Sequence, residues 1–192
     1  MLGERSYSNV TDGLNNVYVF TAGAVRKRRW EEDGDLAMVG GASLVSLFKE
    51  NDPPSSSFKW SVGKGLLQFD TDVEALAKAG EYLNIWFPNE RPPLLIIYIF
   101  SVNASALRTI SNPQSKSHQE AVIHFHKALT LFSLSFKDTW IVLTWSPKNN
   151  DLNYDLQART LTAEAALAFP VTGLKSMNTA AYQKSVARSR AF

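Results

Sequence analysis

The chain has 192 residues, 45% of them hydrophobic and 20% charged, with a formal charge of +2; this is an ordinary globular balance in one large domain or a domain with appendages. So small a net charge makes no case for nucleic acid by itself, and local basic clusters carry more information than the sum. The absence of cysteine excludes disulfides, thiolate zinc sites and cysteine nucleophiles, and it suits a reducing compartment.

The first residues, Met1 to Ser8, lack the apolar core of a secretory signal. The apolar run ending at Phe100 falls far short of the roughly 18 residues that span a bilayer. An intracellular protein, nuclear or cytoplasmic and without a membrane partner, is expected.

Residues 1–14 are polar and read as a loose lead-in. Val17–Phe20 is a short β-rich run of the kind buried on both faces of a sheet. Gly34–Val45 reads as a second strand, antiparallel to the first, and the link between them holds Arg26, Lys27, Arg28 and Arg29 followed by Glu31, Glu32 and Asp33. Asn51–Ser57, with Pro53 and Pro54, is a turn, after which Phe58–Val62 closes a meander.

Asp70–Phe87 is expected to be a helix. Val73, Leu76, Ala77, Gly80, Leu83 and Ile85 fall near one stripe, and acidic residues occupy its first turn, where the helix dipole favours them. Leu94–Phe100 then reads as a central parallel strand, Ala104–Ile110 as a short helix broken at Asn112-Pro113, and His118–Ser133 as an amphipathic helix with Val122, Phe125, Ala128, Leu129 and Phe132 inward. Trp140–Trp145 is the fifth strand, and Leu156–Phe169 is the last helix, stopped at Pro170. Residues 170–192 form a basic C-terminal extension. A meander followed by crossovers is a mixed-sheet α/β layout.

No hydrolase or phosphate-loop motif occurs. His124 and His126 are two residues apart on a helix, so they point about 200° apart and cannot share a metal; with His118 they read as surface or half-buried residues. Gly40-Gly41 and Gly63-x-Gly65 read as bulges or turns. Trp30 and Trp60, near basic residues, suit base stacking, though tryptophan on a sheet face is commoner.

Four local patterns carry a family likeness. Thr21-Ala22-Gly23-Ala24 follows the first strand, and Ile99-Phe100-Ser101-Val102-Asn103-Ala104-Ser105-Ala106-Leu107 follows the central one. Thr144-Trp145-Ser146-Pro147 ends the fifth strand, and Leu161-Thr162-Ala163-Glu164-Ala165-Ala166 lies in the last helix. In order and spacing the chain resembles, from about Asn15 to Ala168, the ribonuclease H domain of non-LTR (LINE-type) retroelement reverse transcriptases, particularly the fungal kind. The resemblance implies a ribonuclease H-like fold, a five-stranded mixed sheet flanked by helices over residues 15–169.

It also implies where a two-metal carboxylate site would lie, and there the chain departs from the family. The aspartate of T-D-G-S is Ala22 and that of F-S-D-N is Val102. Counting back from Glu164-Ala165-Ala166 puts the fourth ligand position on Arg159, and the histidine of W-x-P-G-H falls on Asn149 or Lys148. The second carboxylate position matches Asp72 or Glu74. Two-metal hydrolysis needs clustered carboxylates holding cations about 3.5–4 Å apart, and methyl and isopropyl groups bind no Mg²⁺.

The reading favoured by the sequence is therefore a catalytically inactive ribonuclease H-like module, domesticated or decayed from a retroelement, with no cofactor. It would act on nucleic acid (an RNA–DNA hybrid or duplex) through Arg26, Lys27, Arg28, Arg29 and Lys148, or on a protein partner or second copy through apolar residues such as Phe125, Phe132, Phe136 and Trp140. The alternative is a divergent metal-dependent nuclease with a site rearranged around Asp72, Glu74, Asp151 and Asp155. If Arg159 faces the old site, it would pair there with Asp72 or Glu74.

Overall fold

A computed structural model describes residues 16–29, 36–48, 56–64, 66–86, 95–114, 118–147 and 153–168. The lead-in 1–14, the extension 170–192, Trp30, Lys148, Asn149 and Asp151 lie outside the described residues.

Among the described residues, five strands and four helices follow in the order expected: β1 (Asn16–Arg29), β2 (Leu36–Phe48), β3 (Ser56–Lys64), α1 (Gln68–Trp86), β4 (Leu95–Ser101), α2 (Ala104–Ser111), α3 (Gln119–Ser135), β5 (Thr139–Trp145) and α4 (Asn153–Ala168). They form one sheet in the order β3-β2-β1-β4-β5. The first three strands make an antiparallel meander, and β4 and β5 join parallel to β1.

Alternation along the strands sorts side chains to two covered faces. Val17 and Val19 of β1, Leu44 of β2, and Ile97 and Ile99 of β4 pack under α1 and α3 against Val73, Leu76, Val122, Phe125 and Phe132. Phe20, Ala22, Val45 and Phe100 face the other way, toward Ala158 of α4. That helix lies on β1, β2 and β3. Its buried side chains are mostly small, Ala158, Thr162, Ala165 and Ala166. A Cβ at Gly41 would stand 2.5 Å from the Thr162 carbonyl oxygen and 2.6 Å from the Ala166 nitrogen, so helix and strand meet at backbone distance.

Two details correct the sequence reading and a third bears it out. β1 continues to Arg29, and its register with β2 runs unbroken from Val17↔Phe48 to Arg29↔Leu36, so Arg26–Arg29 lie in a strand and not in the link after it. The ladder is made of backbone groups, and it carries the pairing past the point where apolar side chains stop. Ile85 is 74% exposed; two positions beyond buried Leu83, it points to the opposite side of α1. Gly40-Gly41 does mark a bulge: Gly40 pairs with Gly63 and Gly41 with Ser61, leaving Val62 extra.

Candidate functional site

Parallel pairing sets Thr21 beside Ser101, and the Thr21 hydroxyl donates to the Phe100 carbonyl at 2.8 Å. Ala22 and Val102 are thus the next residues on adjacent chains. β4 ends at Ser101, while β1 runs on paired to β2 alone. Ala22 is buried on the α4 face, and its carbonyl accepts from Thr162 at 3.0 Å. The Thr162 hydroxyl also meets Ser43 at 2.5 Å. Ala158 packs in the same cluster as Ala22, with Arg159 the next residue. Arg159 pairs with Asp155, one turn back on its own helix, as the spacing allowed.

Gly23, one residue past Ala22, faces α1. A Cβ there would lie 2.4 Å from the Thr71 carbonyl carbon and 2.5 Å from the Asp72 nitrogen. Glycine is what lets β1 cross the first turn of α1 this closely. The crossing brings Asp72 to the strand ends. Its carboxylate is buried and accepts from the Gly23 N–H at 2.9 Å, from the Gln68 amide at 3.3 Å and from the Asn103 amide at 2.8 Å. Asn103 is the N-cap of α2, and its own oxygen accepts from the Ser105 and Ala106 N–H groups. One asparagine therefore caps a helix and holds a carboxylate.

The two candidates for the second carboxylate are separated. Asp72 faces β1 and Asn103, whereas Glu74 lies toward the start of α3. Burial raises the Glu74 carboxyl above its ordinary value, and nearby His118, Lys78 and His124 oppose that shift while Glu120 adds to it. Asp70, which the sequence suggested only as a dipole partner, is fully engaged. One oxygen accepts from the Leu67 N–H at 2.6 Å, closing half of a capping box. The other pairs with His118, which has a left-handed backbone (φ 57°) before α3 and stands edge-on to Phe69. His118 is therefore half-buried, one of the two states expected, and its ring ties the starts of α1 and α3.

Arg26 and Lys27 are exposed on the β1–β2 ribbon beyond the end of β4, and strand alternation points them to opposite sides. Arg28 and Arg29 continue the same strand. At the other corner, Trp145 ends β5, and its indole N–H donates to the Val102 carbonyl at 3.1 Å. Among the described residues, no group of three or more His, Cys, Asp or Glu side chains could hold a metal ion. No described helix is long and apolar enough to cross a membrane.

No family model matches the chain, and no curated protein matches it. Solved structures do. The chain is similar to ribonuclease H1 of the halophilic archaeon Halobacterium salinarum, at a TM-score of 0.54 and 15% identity over 81% of this chain and 100% of that one. It is similar to the ribonuclease H domain of prototype foamy virus, at 0.55 and 12% identity over 81% and 97%. A foamy viral protease-reverse transcriptase in complex with an RNA/DNA hybrid matches at 0.57 and 13% identity, over 81% of this chain and 20% of that one. The fold is that of ribonuclease H. In this ribonuclease H fold, the middle of β1, the end of β4, the first turns of α1 and the Ala158–Thr162 stretch of α4 meet in one place, and the four positions marked in the sequence (Ala22, Asp72, Val102 and Arg159) lie in or directly beside those segments.

Proposed function

We propose that this chain is a ribonuclease H-like module that binds nucleic acid without hydrolysing it, derived from the reverse-transcriptase-associated domain of a fungal LINE-type retroelement. The observation that carries the reading is the state of Asp72. Of the residues at the converging segments, Ala22 and Val102 offer no side-chain oxygen, Arg159 is a cation, and Asp72 is held by protein donors on both oxygens. The Asn103 oxygen is spent on its helix. The magnesium ions that this fold family implies require several hard, anionic oxygens, and a single engaged carboxylate does not fit them. Glu74, turned toward α3, does not supply the second one.

Nucleic-acid binding is supported by the solved neighbours, among them a metagenomic ribonuclease H1 from compost and the foamy viral enzyme, each in complex with an RNA/DNA hybrid. It is also supported by the exposed cations of the β1–β2 ribbon. Cationic side chains there neutralise phosphates, and each contact adds about 0.9 to the slope of log affinity against log salt. An intracellular location, nuclear or cytoplasmic, goes with that role.

Two measurements test it together. An RNA–DNA hybrid incubated with the protein and Mn²⁺ should survive as it does in buffer, and calorimetric titration with Mg²⁺ or Mn²⁺ should show no stoichiometric site. Cleavage abolished by Asp72→Asn or Glu74→Gln refutes the inactive reading. Hybrid binding should weaken, with a shallower salt slope, when Arg26, Lys27, Arg28 and Arg29 are changed together to serine. No hybrid binding by the wild type at low salt makes a protein the partner instead.

A further inference from the structure

We infer that Trp145 is a stacking platform for an unpaired base of a single-stranded nucleic acid; the inference rests on the nucleic-acid reading above. β5 carries an exposed tryptophan at each end, Trp140 at 68% and Trp145 at 54% exposure. The two are not equivalent. Five residues of strand put them about 17 Å apart along β5, and the odd spacing sends them to opposite faces of the sheet. Trp145 belongs with Thr21 and Ser101 on the α1–α2 face, in register with Ser101. Its indole N–H is fixed on the Val102 carbonyl, directly before Asn103, which holds Asp72. Trp140 stands at the far end, level with Ile96 and Asn16.

An exposed indole is costly to leave in water, yet the hydrogen bond fixes its orientation before any ligand arrives, so little side-chain entropy remains to be lost on stacking. A paired base offers its face only to its neighbours in the helix. An unpaired base offers it to an aromatic ring regardless of sequence. The ligand chemistry is therefore a single strand or the frayed end of a duplex, with exposed Lys27 of β1 on the same sheet face to meet its phosphates. That makes the junction of β1, β4 and β5 a place for a strand to lie across, with the base face and not a metal as its anchor.

The probe is a short fluorescein-labelled oligodeoxythymidylate, titrated by fluorescence anisotropy at low salt. Trp145→Ala should bind about tenfold more weakly, the loss of one base–aromatic stack, while Trp145→Phe, which keeps a ring, should stay within about threefold. Trp140→Ala is the matched control and should bind as wild type does. Circular dichroism melts of each variant establish that it is folded. Equal weakening by Trp140→Ala and Trp145→Ala, or wild-type affinity in Trp145→Ala, overturns the platform. If the ribbon variant still loses affinity in that case, the nucleic-acid reading stands without it. No oligonucleotide or hybrid binding by the wild type overturns both.

Discussion

Asp72→Asn separates a structural carboxylate from a metal-site carboxylate. In a site built for cations, neutralising one of several crowded carboxylates relieves repulsion, so the variant folds as well as the parent or better. Here Asp72 is surrounded by donors. Asparagine would keep an acceptor toward the Gly23 N–H but would set an NH₂ group against the Asn103 amide, now 2.8 Å from the second oxygen. Asn103 cannot turn its own amide over in compensation, because its oxygen is held by Ser105 and Ala106 as the α2 cap, and losing a cap costs about 1 kcal/mol. A buried hydrogen bond to a charged group is worth about 1.5–3 kcal/mol. At about 2–4 °C per kcal/mol for a domain of this size, Tm should fall by roughly 3–12 °C, read by thermal circular dichroism and checked by urea titration. The exchanged pair Asp72→Asn with Asn103→Asp restores a donor facing an acceptor and keeps a good N-cap, so it should recover most of the loss, with the coupling visible in a double-mutant cycle. A single variant as stable as the wild type refutes the structural role of Asp72.

Burial holds the Glu74 carboxyl above its ordinary 4.5, so the folded chain binds that proton more tightly than the unfolded one. The stability it contributes is present below about pH 4.5 and is lost as pH rises through the folded value. Glu74→Gln should therefore match the wild type near pH 4 and exceed it in urea midpoint near pH 7; an equal offset at both would sink the assignment. Gly41→Ala places a methyl against the backbone of α4, with 2.5 Å to the Thr162 oxygen, and overpacking of this kind costs about 1–3 kcal/mol. It should lower Tm by roughly 2–12 °C, and an unchanged melt would mean that α4 shifts freely.

Much of the fold could be read locally. Val17–Phe20 and Leu94–Phe100 are short continuous apolar runs, and such runs become strands buried on both sides; Val17, Val19, Ile97 and Ile99 are all fully buried. The α3 stripe, Val122, Phe125, Ala128 and Phe132, is inward as its spacing requires. Each of these depends on backbone geometry that repeats within one element.

The rest needed partners distant in the chain. Nothing around Phe69–Val73 distinguishes Asp72, which meets Gly23 and Asn103, from Asp70, which meets His118, or from Glu74, which turns toward α3; three acids within five residues differ only in what the folded chain sets against them. The basic run looked like a loop because charge marks solvent, whereas β2 supplied the ladder that made it a strand. Trp140 and Trp145 are alike in sequence, and only the end of β4 gave one of them a carbonyl to hold its ring. Periodicity determined the elements and their order. Contacts across 31 to 49 residues of chain decided which carboxylate stands at the strand ends and what holds it, because hydrogen-bond partners are set by where elements cross and not by the pattern within any one of them.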